Sequence, residues 1–139
     1  MTTAEIIGTL QSRGMRPGYL IPLDENYSHP KRSWVNGTFA AAFRRNLKAL
    51  GLDKYVAEAN DCDKFSGLAW ALVRAINGRS SATRGIAFGW MIYITRNLTP
   101  HDINVYVTAA GAVRFWEPQS QEETTLTEEE INSCTVLVI

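Results

Sequence analysis

Histidine and cysteine are the scarce residues of this chain, two of each among 139. The cysteines, Cys62 and Cys134, stand far apart. The opening Met-Thr-Thr-Ala-Glu has neither the basic start nor the apolar run of a secretion signal, so two free thiols in a cytoplasmic protein are expected, not a disulfide framework. Net charge is missing as well: 14 acidic residues balance 14 basic ones. That leaves no excess of Lys and Arg for a nucleic-acid surface. No stretch approaches the roughly 18 apolar residues of a membrane span. The closely paired ligands of structural zinc are also lacking, so neither metal nor cofactor is expected. There is no internal repeat and no low-complexity tract. With 45% hydrophobic and 20% charged residues, what remains is a globular chain of a size for one domain over 1–139.

Local signals divide the chain into helices first and strands afterwards. Thr2 and Glu5 match a capping box, and Ile6, Ile7 and Leu10 continue it as a short amphipathic helix ending at Gly14. From Met15 to Ser33 the prolines predict a loop, ordered because Tyr19, Leu20, Ile21, Leu23 and Tyr27 carry apolar area worth burying. His29 reads as a surface residue of that loop. Thr38 is a fair N-cap for a second helix, with Phe39, Phe43, Leu47 and Leu50 inward and Arg44, Arg45 and Lys48 in solvent. A third helix begins after Asn60 or Asp61 and runs to Asn77-Gly78, with Phe65, Leu68, Ala69, Leu72 and Ile76 on one face. Ile86 to Thr95, His101 to Thr108 and Ala112 to Trp116 read as strands, the last two joined by a turn at Gly111. Gly89 marks a bulge or a close backbone approach. Thr127 with Glu130 caps a short helix, and Cys134 to Ile139 is a final apolar strand. This order predicts an α+β fold, N-terminal helices packed on a small antiparallel sheet.

Cys62 falls in the first turn of the third helix, where unpaired N–H groups and the positive end of the dipole favour a thiolate. A nucleophilic cysteine needs a base, and the base needs a group to orient it. His101 opens one strand of the hairpin and Glu117 closes the other, which makes them plausible cross-strand neighbours. Cys62, His101 and Glu117 therefore form the candidate catalytic set. Asn60, Trp34 and Gln119 are candidate binding residues. Cys134 reads as core.

Residues 60–119 resemble the catalytic core of the transglutaminase-like superfamily, within the wider papain-like group of cysteine proteases. The resemblance rests on Cys62 ahead of Ala71-Leu72-Val73-Arg74-Ala75-Ile76, then Gly89-Trp90, then His101 opening an alternating strand, then Phe115-Trp116-Glu117-Pro118. It implies a cysteine-dependent hydrolase or acyltransferase acting on a peptide or another amide-bearing substrate. In that chemistry Cys62 attacks the carbonyl, His101 moves the proton and Glu117 orients His101. The alternative is an inactive member of the same fold that binds or inhibits a partner, the Met15–Trp34 loop being one docking surface.

Overall fold

A computed structural model describes residues 1–54, 56, 61–79 and 82–139. Helix α1, Thr3–Ser12, starts at Thr2 through both halves of the expected capping box. It buries Ile6 and Leu10. The loop after it is ordered by Tyr27. Its buried hydroxyl donates to the Ile139 carbonyl at 2.9 Å and accepts from the N–H groups of Leu23 at 3.1 Å and Asp24 at 3.0 Å. Strands β1, Tyr19–Ile21, and β2, Tyr27–Ser28, lie in this segment.

The second helix begins earlier than its sequence suggests. Trp34–Phe39 winds as a π-helix, continuing as α2, Ala40–Ala49, so Thr38 sits inside a helix and caps nothing. The wide turn brings residues five apart nearly into line, and Trp34 stacks on Phe39 with ring centres 5.3 Å apart. Helix α3, Cys62–Arg79, follows. Then come β3, Gly85–Ile86, β4, Phe88–Ile94, β5, Pro100–Val107, β6, Val113–Glu117, and β7, Glu122–Thr124. Helix α4, Glu128–Asn132, has the second capping box, and β8, Val136–Val138, ends the chain.

Six strands form one sheet in the order β1-β8-β4-β5-β6-β7, and β2 pairs with β3 separately. Here the antiparallel α+β expectation is corrected. The sheet is mixed, because β1 runs parallel to β8. Its helices also lie on both faces. One apolar cluster joins Ile6 and Leu10 of α1 and Ile131 of α4 to Met91, Ile103 and Val105. The other joins Phe39, Phe43, Phe65, Ala69 and Val73 to Phe88, Tyr106 and Trp116. Period-two alternation along β4, β5 and β6 feeds both clusters from the same strands. Gly89 marks a close approach: a Cβ there would stand 2.6 Å from the Val138 carbonyl oxygen of β8.

Candidate functional site

The first turn of α3 is fixed to the sheet by a buried amide. Asn104 of β5 donates from Nδ2 to the Ser66 carbonyl at 3.0 Å and to the Gly89 carbonyl at 3.1 Å. The Ser66 hydroxyl in turn donates to the Cys62 carbonyl at 2.9 Å. These bonds hold Cys62 at the end of the sheet, half-buried, with the backbone N–H of Asp102 facing its sulfur. Asp102 is 6% exposed. Its carboxylate accepts the Trp90 indole N–H at 2.9 Å.

His101 is one residue back along β5, its ring on the other face of the sheet. Nε2 lies 2.8 Å from Glu117 Oε2. Glu117 Oε1 accepts the Gln119 backbone N–H at 3.1 Å. Tyr93 meets the imidazole edge-on, ring centres 5.7 Å apart. A carboxylate on Nε2 makes that nitrogen the protonated one in the neutral ring and leaves Nδ1 as the acceptor. No hydrogen bond joins Nδ1 to the Cys62 sulfur among the described residues.

The electrostatics correct the expected thiolate. Burial pushes the Cys62 thiol above its ordinary range. The Asp102 and Asp63 N–H groups pull the other way, but the negative charges of Asp102 and Asp61 reinforce burial. A helix dipole is weaker than desolvation with two carboxylates nearby. His101 is raised by its bond to Glu117, against burial. Burial likewise raises Asp102, opposed by the Trp90 bond. The shift thus disfavours the thiolate at Cys62, while the His101 imidazole holds its proton more firmly than usual. Cys134, core as expected, is pushed up to about 12 by burial.

Of the residues singled out in the sequence, His101 and Glu117 meet at one end of the sheet, and Cys62 lies at the same end but against Asp102, the β5 residue that points to the opposite face. Gln119 touches this group through its backbone only, its side chain being exposed. Trp34 does not belong to it. It lines a cleft with Asn77, near the far end of α3, ~22 Å from Cys62 along the helix axis. Asn60 lies outside the described residues. Sequence reasoning gave no site role to Tyr93 or Asp102 and used Trp90 only as part of the Gly89-Trp90 match. The available signal was Asp102 itself, a charge in a strand whose residues are largely buried.

No family model and no curated protein matches this chain. Solved structures do. One is described as a PSL1a-E64 complex, with a TM-score of 0.80 and 19% identity over 100% of this chain and 51% of the other. A second is Polyporus squamosus lectin bound to the human-type influenza-binding epitope Neu5Aca2-6Galb1-4GlcNAc. Its TM-score is 0.77, again at 19% identity, over 100% of this chain and 49% of that one. The chain thus spans about half the length of each, and the likeness is one of fold. It replaces the transglutaminase-like, papain-like identification of residues 60–119. With that identification go the amide hydrolase or acyltransferase activity, the inactive relative kept as its alternative, and the peptide or amide-bearing substrate. The segments that carried the resemblance are all present, but in a mixed sheet covered on both faces. Over its whole length the chain is similar to a fold found in a lectin.

Proposed function

We propose that the chain is a ligand-binding module, with its ligand seat at the sheet end that carries Cys62 and the His101–Glu117 pair. The observation that carries this is the His101–Glu117 bond of 2.8 Å. It anchors the imidazole through one nitrogen and leaves the other free among the described residues, one residue along β5 from the amide that faces the Cys62 sulfur. Such a seat offers a ligand a proton donor or acceptor and a soft, polarizable sulfur. E64 and the glycan epitope are named as ligands of the similar chains, and both support binding as the class of function.

E64, an epoxide, tests the seat directly. The Cys62 sulfur bonds to an epoxide carbon, the carbon–oxygen bond opens, and the thiol proton ends on that oxygen. No other reactant is consumed. Intact-mass measurement should show one whole E64 added at Cys62 and none at Cys134, with a rate that climbs as pH rises above neutral. His101→Ala should slow the addition and Cys62→Ser abolish it. Equal labelling of both cysteines, or indifference to His101→Ala, would remove the seat.

A second reading, binding of carbohydrate, is favoured by the Trp34 cleft at the opposite end of α3. That cleft joins an indole to hydrogen-bonding side chains. Titration of the chain with Neu5Aca2-6Galb1-4GlcNAc tests it, with saturable binding as the expected result.

A further inference from the structure

We infer that the cleft beneath the π-helix is a seat for a single pyranose ring, stacked on Trp34; this inference rests on the carbohydrate reading above and assigns it a place. The cleft encloses about 250 Å³, small for a drug-sized ligand but of a size with one sugar ring. Its wall combines the Trp34 indole with Ser28, His29, Lys31 and Asn77. A pyranose has one face of C–H groups and a rim of hydroxyls, so it requires an aromatic platform ringed by donors and acceptors.

Each of these is present. Trp34 is half-buried, and its stack on Phe39 holds the indole rigid. An aromatic side chain fixed before binding loses little freedom when the ligand arrives. His29 Nδ1 lies 3.1 Å from the Val107 carbonyl. A carbonyl only accepts, so Nδ1 carries the proton and Nε2 is left as an acceptor. Ser28 donates its hydroxyl proton to the Gly85 carbonyl at 3.0 Å, so the oxygen retains lone pairs for a ligand. Lys31 is exposed, with no ion-pair partner among the described residues, and supplies donors.

A separate observation points to the same place. Trp34 opens a six-residue π-helix. Such winding is rare, costs good hydrogen-bond geometry and gathers at functional sites. Here it has a local effect: the wide turn aligns Trp34 with Phe39, where an ordinary helix would turn residues five apart well away from each other. The strained winding thus holds the indole at the cleft.

The test follows the four tryptophan indole N–H signals by ¹⁵N NMR while methyl β-galactoside, N-acetylglucosamine and methyl α-N-acetylneuraminoside are titrated in turn. The Trp34 signal is identified by its disappearance in Trp34→Phe. At least one sugar should move it saturably and leave the Trp90 signal still. Trp34→Ala should weaken that binding about tenfold, the loss of one aromatic contact. Lys31→Ala, on the surface and harmless to folding, should weaken it by a smaller factor. Should Trp34→Ala lose its fold, the Trp34→Phe and Lys31→Ala titrations decide alone. Saturable binding that moves other signals, or survives both of these variants unchanged, overturns the Trp34 seat and leaves the carbohydrate reading standing. Binding of neither these sugars nor the trisaccharide removes both.

Discussion

Two glutamates of neighbouring strands, Glu117 closing β6 and Glu123 within β7, each reach across to a side chain of β5, and they do so on opposite faces of the sheet. Glu117 meets His101 at 2.8 Å. Glu123 accepts the Tyr106 hydroxyl. Their surroundings then diverge. Glu123 also accepts Arg32 Nε at 2.9 Å and Asn36 Nδ2 at 2.8 Å, and Arg32 Nη2 lies 2.7 Å away. Despite the burial that would raise it, these donors hold its carboxyl down to about 2. Among the described residues Glu117 has the imidazole and one backbone N–H. A carboxylate surrounded by donors is a clamp, here pinning the π-helix to the sheet edge. One that holds a ring with a free second nitrogen leaves that ring able to serve a ligand. Saturation of hydrogen-bonding capacity separates the glutamate that clamps from the one whose partner ring keeps a free nitrogen.

The largest effect that bears on this contrast is in stability. Glu123→Ala should cost about 2 kcal/mol, because it strands the partly buried Tyr106 hydroxyl, while the exposed Arg32 adds little. Glu117→Gln should cost under ~1 kcal/mol, since the amide can still accept from the imidazole. Urea titration of both variants checks the order; if it is reversed, Glu117 is the clamp. Next comes pH. Glu123 lies below its ordinary value of 4.5, so its contribution is full above that pH and is lost as pH falls towards about 2. His101 lies above its ordinary 6.5, so its pair is at full strength below that value and fades as pH rises through the folded-state value. Melting temperatures measured across pH should therefore show Glu123→Gln converging on the parent at the acid end and Glu117→Gln converging at the alkaline end. The smallest effect concerns the thiol. Iodoacetamide labelling of Cys62 should still be rising at pH 9, since burial and Asp102 keep it protonated. Asp102→Asn should move the profile to lower pH, with rate at a fixed neutral pH gaining on the order of tenfold for each pKa unit recovered. A plateau already reached at neutral pH would mean that the sulfur is ionised, contrary to this account.

Helices were readable where the code is local. Both capping boxes, at Thr2 and Thr127, form as their residues predict, because each bond spans three residues. The apolar face of α3 and the β5–β6 hairpin were readable for the same reason, and with the hairpin came the meeting of His101 and Glu117. The π-helix was not, since Thr38 is a normal cap and the Trp34–Phe39 stack and the Glu123 clamp that accompany the wider turn appear only in the folded chain. Nor was β7, whose Glu122-Glu123-Thr124 has little strand propensity and is held by pairing with β6. The cysteine was placed correctly at a helix start and given the wrong charge. Asp102, remote in sequence, lies beside it only in the folded chain.

Sequence alone determined the spacing of caps, stripes and alternating strands, because those depend on residues within one or two turns of each other. Tertiary structure decided that β1 runs parallel beside β8, that both sheet faces are covered, and that Trp34 sits far from Cys62. It also decided the direction in which the thiol is shifted. Pairing between distant segments and the electric field at a buried atom are sums over the whole molecule, and no short stretch of residues contains them.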